Sequence, residues 1–217
     1  DSSGATITNY QTTFTENGAA VSVADIDVTI TDSNSANMSS ATITLTNAQA
    51  GDQLLAAGFP MSGISATVVG NVVTLSGNSS IANYQTAIRA ITFRNTSDNP
   101  NATPRIITVT VSDNVGASNV ATTTISVAPI NDAPVLDLDA SGAGSGYTAT
   151  FTEGSAAVAI ADTDISIADV DSTNITGATI TLTNAQTGDV LAWGALPGGI
   201  TASLAGNVVT LSGTTTL

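Results

Sequence analysis

Long stretches of this sequence occur twice, and this repetition constrains the fold more than any other feature. Residues 41–49 (ATITLTNAQ) return unchanged as residues 178–186, at an offset of 137 residues. Residues 70–77 (GNVVTLSG) return as residues 206–213 at an offset of 136, so the copies differ by one deletion. A spacing this long exceeds the period of ~20–50 residues that is typical of solenoid repeats. The chain is therefore predicted to be a tandem array of domain-sized modules.

The second copy is shorter than the first. Leu217 aligns with Ile81, so the printed sequence holds no second counterpart of residues 82–130. A β domain cut at this point would leave strand edges unpaired. We expect the sequence to be an excerpt of a longer polypeptide, or else a neighbouring molecule to supply the missing strands. The predicted domains are a complete repeat at 1–130, and a linker with the N-terminal part of a second repeat at 131–217.

Period-two alternation predicts an all-β fold. In residues 41–46 (ATITLT), Ala, Ile and Leu alternate with Thr, as in a strand with one buried and one solvated face. Similar runs at 21–30, 106–111 and 121–127 predict further strands. With roughly seven or eight short strands per module, the count favours a Greek-key β-sandwich, as in immunoglobulin-like domains.

Local signals add two hairpins and a helix. Gly70-Asn71 and its repeat Gly206-Asn207 lie between β-branched runs and predict two-residue hairpin turns. Ser80 precedes apolar residues at positions 81, 84 and 88, which predicts a short helix in each complete module.

The composition limits the partners that this chain can have. The formal net charge is −14, with no Lys or His and three Arg. A nucleic-acid backbone is therefore excluded as a partner, because its binding requires cationic groups, and metal cations are favoured. No apolar run approaches the ~18 residues that span a bilayer, so we expect no membrane contact within this segment. Cysteine is absent, which excludes disulfides and thiolate metal sites.

Acidic residues recur with the repeat and stand beside a stiff linker. The second copy has Asp162 and Asp164, then Asp169 and Asp171, and the first has Asp25 and Asp27, then Asp32 and Asn34. Calcium takes six to eight oxygen ligands from such side chains. The linker at 128–135 (APINDAPV) is bracketed by two prolines, which fix φ and stiffen the connection.

The order of these motifs resembles a known family. Residues 109–116 (VTVSDNVG), 123–127 (TTISV) and 131–135 (NDAPV) resemble the closing half of a cadherin or bacterial cadherin-like repeat, where a last strand leads into an N-D-x-P linker. Residues 14–18 (FTENG) resemble the early E-N-x motif of that family, and residues 169–171 its D-x-D motif. The ensemble is similar to tandem repeats of large bacterial surface proteins and RTX-type adhesins.

This resemblance implies calcium (Ca²⁺) at the junctions between modules. It implies as ligands of the internal junction Glu16, Asn131, Asp132, Asp169 and Asp171. It implies Asp32, Asn34 and Asp113 as ligands of a preceding junction, and Glu153 as the counterpart of Glu16 in the second copy.

Each acidic group also has an ordinary structural interpretation. Asp and Asn beside Gly and Pro often close turns through their own side chains, and this is the interpretation that we favour for Asp52 and Asp189. The pairs Asp25 with Asp27 and Asp162 with Asp164 leave both interpretations open. For Trp193 we favour a core position over an exposed aromatic contact, because Trp is highly buried on average.

The predicted function is that of a calcium-stiffened stalk or fibre segment of a large extracellular adhesin at the cell surface, whose partners are neighbouring repeats. We do not expect an enzyme, because the chain lacks His and Cys and its carboxylates recur with the repeat. Two alternatives stay open. The chain could form a self-assembling filament or sheath whose subunits are completed by strands of another copy, or it could bind a carbohydrate or another cell-surface ligand.

Overall fold

The computed structural model describes residues 9–217, so the first eight residues of the predicted repeat 1–130 lie outside the described part. The chain divides into two compact units within the proline-bracketed linker: unit 1, Asp1–Ile130, and unit 2, Asn131–Leu217. The secondary structure is mostly strand, so the prediction of an all-β fold is confirmed.

Unit 1 contains nine described strands and one helix. The strands are β1 (Asn9–Thr15), β2 (Val21–Ser22), β3 (Asn37–Leu45), β4 (Asp52–Ala56), β5 (Ser65–Val69), β6 (Val72–Ser80), β7 (Ile91–Asn95), β8 (Arg105–Ser112) and β9 (Ala121–Ala128), and the helix is α1 (Ile81–Arg89).

The strands of unit 1 form two sheets. The larger sheet has the order β1-β9-β8-β3-β6-β5 and the smaller has the order β2-β7-β4. β1 pairs with β9 in parallel, and every other pair is antiparallel. The central strand β3 lies between β6 and β8, and these neighbours cover both of its edges.

The core of unit 1 follows from the alternation along its strands. In β3, Ala41, Ile43 and Leu45 are almost fully buried, whereas the intervening Thr42 is exposed. Phe14 of the larger sheet meets Phe93 of the smaller sheet edge to face, with ring centroids 5.7 Å apart. The two sheets therefore enclose a common apolar core, and apolar burial of this kind stabilises a fold by about 25 cal/mol per Å².

Helix α1 begins where the sequence predicts it. The hydroxyl of Ser80 accepts a hydrogen bond from the backbone N–H of Asn83 and caps the first turn. Tyr84, Ala87 and Ile88 form the buried face. The Tyr84 hydroxyl donates to the Gly77 carbonyl at 2.7 Å, which satisfies the polar end of a buried aromatic side chain.

Unit 2 has five strands in two separate sheets. They are β10 (Val135–Asp137), β11 (Ser166–Ala168), β12 (Asn174–Thr181), β13 (Thr201–Ala205) and β14 (Val208–Thr216). β10 pairs with β11, and β12-β14-β13 form an antiparallel sheet. This second sheet repeats β3-β6-β5 of unit 1, including the irregularity near the start of β12. Both predicted hairpins, β5–β6 and β13–β14, are confirmed.

Some predictions on the strands were wrong. The run at residues 21–30 forms a strand only at Val21–Ser22, and the rest is irregular, with a turn in which the Val28 N–H donates to the Asp25 carbonyl. Ile26 is largely exposed there. The alternation of residues 21–30 therefore does not match a strand, and no neighbouring strand pairs with residues 24–30 within the described part of the chain.

Candidate metal centres

Glu16 is a buried carboxylate immediately after β1. Its side chain is only 3% exposed, and its backbone N–H donates to the Ala128 carbonyl, continuing the pairing of β1 with β9. One carboxylate oxygen, Oε2, accepts the backbone N–H of Ile130 at 2.7 Å. The other, Oε1, is buried and has no hydrogen-bond partner within residues 9–217. A buried acceptor without a donor is costly, so this oxygen is suited to a cation.

Asp132 and Asp171 contact each other at the start of unit 2. The Asp132 backbone N–H donates to Oδ2 of Asp171 at 3.1 Å. The second oxygen of Asp171, Oδ1, is buried and lacks a hydrogen-bond partner in the described chain. Asp171 therefore resembles Glu16: one carboxylate oxygen accepts a backbone N–H of the linker, and the other has no hydrogen-bond partner in the described chain.

Asp169 is held beside Asp171 by a local turn. Its Oδ1 accepts the backbone N–H groups of Asp171 and Ser172 at 3.1 and 2.8 Å. The Ser172 N–H, followed by the side chain of Asp171, holds the pKa of Asp169 below its ordinary value. Asp169 is therefore ionised at neutral pH and contributes a full negative charge next to Asp171.

The residues predicted to serve a preceding junction lie together in unit 1. Asp32, Asn34 and Asp113 all line one surface cavity of about 530 Å³, whose lining also includes Ile30 and Val111. Two of them also close turns. Asp32 Oδ1 accepts the N–H groups of Asn34 and Ser35, each at 2.9 Å.

Asp113 closes the second turn at this cavity. Its Oδ1 accepts the N–H groups of Gly116 and Val115 at 3.0 and 2.9 Å. The Gly116 N–H, followed by that of Val115, lowers the pKa of Asp113. The two turns therefore occupy Oδ1 of Asp32 and Oδ1 of Asp113. A metal ion bound here would have to use Oδ2 of each side chain.

A further acidic cluster lies in unit 2, and the sequence predicted only part of it. Carboxylate oxygens of Asp139, Asp162 and Asp164 lie within 4.8 Å of one another, the sole trio this close in the described chain. Asp162 and Asp164 belong to the repeated D-x-D pattern, but Asp139 was missed. It follows β10 in the alternating run LDLD, and the Asp162 N–H donates to the carbonyl of the preceding Leu138. This backbone contact, which is invisible in the sequence, brings Asp139 to the pair.

The remaining predicted ligands, Asn131 and Glu153, are exposed to solvent. Asn131 is exposed, and its amide nitrogen donates to the Asp132 carbonyl. Glu153 is exposed, unlike its counterpart Glu16. Glu16 is buried because β9 and Ile130 cover it, and unit 2 contains no described strand paired with the residues that precede Glu153.

The arginines are engaged away from Glu16, Asp169 and Asp171. Arg105 Nε pairs with Asp52 Oδ2 at 2.7 Å, and both side chains are fully buried. Arg94 donates to the Gln53 side chain and Arg89 to the Ile26 carbonyl. The chain has no other cationic side chain.

Asp52 also accepts the Gln49 N–H, so the predicted role of Asp52 in closing a turn was correct but incomplete.

Trp193 is 43% exposed, so the prediction that it is a core residue was wrong.

Comparison with known proteins does not assign this chain to a family. No protein-family model matches the sequence, and no curated protein matches it either. Within residues 9–217, no helix combines the length and apolar character needed to cross a bilayer.

Proposed function

We propose that this chain is a calcium-stiffened segment of an extracellular stalk or fibre, built from cadherin-like Greek-key modules of a bacterial adhesin. The observation that carries the proposal is a pair of buried carboxylate oxygens, Glu16 Oε1 and Asp171 Oδ1, without hydrogen-bond partners in the described chain. Oxygens of this kind are ligands that calcium prefers.

The charge balance supports a cation rather than a protein donor at these oxygens. The chain carries 17 acidic side chains and only three basic ones. Two of the three arginines bind neutral acceptors, and Arg105 is buried against Asp52. An uncompensated buried carboxylate destabilises a fold by several kcal/mol. A divalent ion would remove this penalty.

The anchoring of the same carboxylates supports a stiffening role. Glu16 holds the backbone of Ile130 in unit 1, and Asp171 holds the backbone of Asp132 in unit 2. Both anchored residues belong to the linker, whose prolines already restrict its torsions. Calcium bound to either open oxygen would therefore further restrict the linker residue that the same carboxylate anchors.

Calcium titration of the 217-residue chain tests this proposal. Calorimetry should show saturable binding, and Glu16→Gln and Asp171→Asn should each weaken it by about tenfold or more, because each removes a charged ligand. Small-angle scattering should give a longer, stiffer particle in calcium than in chelator.

Two variants serve as controls. Asp98→Asn removes the same charge at an exposed position and should leave binding unchanged. Asp164→Asn tests the separate cluster with Asp139 and Asp162. Calcium binding that is lost in Asp164→Asn but kept in Asp171→Asn would contradict binding at the carboxylates that anchor the linker, as would identical scattering curves in calcium and chelator.

A further inference from the structure

The larger sheet of unit 1 ends at a strand that is paired on one side only. This strand is β5, whose neighbour is β6, and no strand of the described chain pairs with its outer side. β5 belongs to unit 1, where the further strands β3, β8, β9 and β1 of the same sheet are all present. Unit 2 repeats the arrangement, because β13 is the outer strand of β12-β14-β13. The unpaired outer side of β5 is therefore a recurring feature of both units.

Both units have an exposed apolar side chain at the same position of this strand. Val68 of β5 and Leu204 of β13 are counterparts at the offset of 136 residues, and each is 44% exposed. The neighbouring Val69 is 70% exposed. Exposed apolar and β-branched residues on an unpaired strand favour its pairing with another strand.

The outer strand also lacks the features that usually prevent such pairing. Edge strands are commonly protected by charged residues or by proline, and β5 contains neither. Residues 53–88, which include β5 and β6, have no charged side chain in a chain with 17 acidic ones. Residues 190–217, which include β13 and β14, have none either. Because copies of a chain with a net charge of −14 repel each other, these uncharged strands are the surfaces at which two copies can approach with least repulsion.

The backbone of β5 is complementary to itself. A two-residue loop closes the hairpin of β5 and β6 with the hydrogen-bonded pair of Val69 and Val72. Hydrogen bonding alternates along an antiparallel pair, so the main-chain N–H and C=O groups of Ala66 and Val68 face away from β6. In two copies related by a two-fold axis at Thr67, Ala66 of one copy would lie opposite Val68 of the other. These residues would then exchange main-chain hydrogen bonds across the axis.

The side chains fit the same register. The two Thr67 side chains would meet at a non-hydrogen-bonded position, where a cross-strand pair of threonines stabilises a sheet. Each exposed Val68 would lie beside Ala66 of the other copy and lose contact with water. β13 repeats the pattern, with Ser203 in the place of Thr67 and Leu204 in the place of Val68.

We propose that β5 is a self-association surface at which two copies of this chain pair antiparallel about Thr67, and that β13 repeats this surface in unit 2. Each strand contributes five residues, so one contact is smaller than the ~1,200 Å² below which interfaces are weak and transient. The dissociation constant of one contact is therefore on the order of 0.1–1 mM. Repetition of the surface strengthens the association when more than one contact forms.

Cysteine cross-linking tests the proposal, because the chain contains no cysteine of its own. Thr67→Cys brings two thiols together at the axis, within the Cα separation of about 4.4–6.8 Å that a disulfide requires. Val69→Cys is the matched control, since Val69 is exposed on the same strand but would lie opposite Ser65, far from its own copy. Under mild oxidation in chelator, disulfide dimers of Thr67→Cys should form at least about tenfold faster than those of Val69→Cys. The chelator keeps this result independent of calcium binding.

Amide exchange of the unmodified chain locates the contact without relying on either variant. By NMR, the amides of Ala66 and Val68 should exchange about twofold more slowly at ~2 mM than at ~0.05 mM chain, whereas Thr67, already bonded to β6, should change less. Equal cross-linking rates in the two cysteine variants would overturn the proposal, as would exchange at Ala66 and Val68 that does not depend on concentration. Dimers that protect residues 177–182 in place of β5 would also overturn it.

Discussion

At the scale of single residues, the buried carboxylates of this molecule differ in whether a donor contacts them. Arg105 and Asp52 neutralise each other inside unit 1, whereas Glu16 keeps one carboxylate oxygen without a hydrogen-bond partner in the described chain. All three side chains are buried, so low exposure alone does not separate structural from ligating carboxylates. What separates these two kinds of carboxylate is whether each of its oxygens has a hydrogen-bond donor within the described chain.

Replacing Arg105 should destabilise unit 1 strongly. Arg105→Met leaves Asp52 charged and buried without its partner, and removal of one member of a buried ion pair costs about 3–5 kcal/mol. Urea unfolding followed by circular dichroism measures the loss. Arg94→Met is the control, because Arg94 is exposed and donates to the neutral Gln53, and it should cost less than ~1 kcal/mol. Equal losses in the two variants would contradict a structural role for the buried pair.

The turn at Asp113 should weaken in acid. Backbone donors lower its folded-state pKa, so its contribution to stability is present above the unfolded pKa and is lost as pH falls through the folded pKa. Carboxyl carbon NMR should therefore give a lower titration midpoint for Asp113 in the folded chain than in urea. Asp113→Asn keeps a turn acceptor without the charge and should remove the acid dependence of the amide protection factor at Gly116, that is, of the exchange rate relative to the intrinsic rate at the same pH. Coincident midpoints in the folded and unfolded chains would refute this account.

At the scale of elements, local sequence determines where the hairpins and the helix form. The packing of each hairpin against the preceding chain depends on a glycine at a close backbone contact. Gly77 lies within β6 with φ +141°, and a Cβ there would overlap the Gly63 carbonyl oxygen. Gly213 repeats this contact in unit 2 against Gly199. The repeated glycine therefore lets the chain before each hairpin approach its second strand.

Gly77→Ala should destabilise unit 1 more than Gly70→Ala. Gly70 also has a positive φ, +55°, but a Cβ there meets no atom within 4 Å. Gly70→Ala is therefore expected to cost about 1 kcal/mol from backbone strain alone, while Gly77→Ala adds a clash with the backbone carbonyl oxygen of Gly63. Thermal unfolding of the two variants measures the difference, and equal midpoints would show that the carbonyl moves away without cost.

At the scale of the whole molecule, the two units have unequal cores. Unit 1 contains a cluster of buried apolar residues from both of its sheets, whereas Val209 is the one apolar side chain of unit 2 classed as buried. Apolar burial is the dominant favourable term in folding. The printed chain is therefore expected to be stabilised very unevenly along its length.

Amide exchange in the duplicated segment should reveal this difference. Residues 42–45 in β3 and residues 179–182 of the second copy share one sequence, so their intrinsic exchange rates are matched within one molecule. Exchange should be slower in β3 by about 100-fold or more, because its opening requires loss of the core of unit 1. Mass spectrometry of peptides that extend to the differing residues Ser40 and Gly177 measures this ratio. Similar protection in both copies would show that unit 2 is held together by contacts equal to those of unit 1.

Local patterns in the sequence determined much of the architecture. The alternation of residues 41–46, the Gly-Asn turns and the Ser80 cap correctly predicted β3, two hairpins and α1, because each depends on neighbours within a few residues. The repetition of residues 41–49 at residues 178–186 predicts a tandem organisation from the sequence alone. The alternation at 21–30 failed as a strand prediction because pairing also requires an adjacent edge.

Only the tertiary structure decided which charged residues are buried and what they contact. Asp52 and Asp189 lie in equivalent turns, yet Asp52 alone pairs with an arginine, which comes from a strand 53 residues away. Glu16 and Glu153 share a local sequence, and their burial differs because β9 and Ile130 cover only the first. Asp139 joins Asp162 and Asp164 through a backbone contact between distant segments. Burial and electrostatic pairing are set by non-local neighbours, so identical local sequences acquire different chemistry.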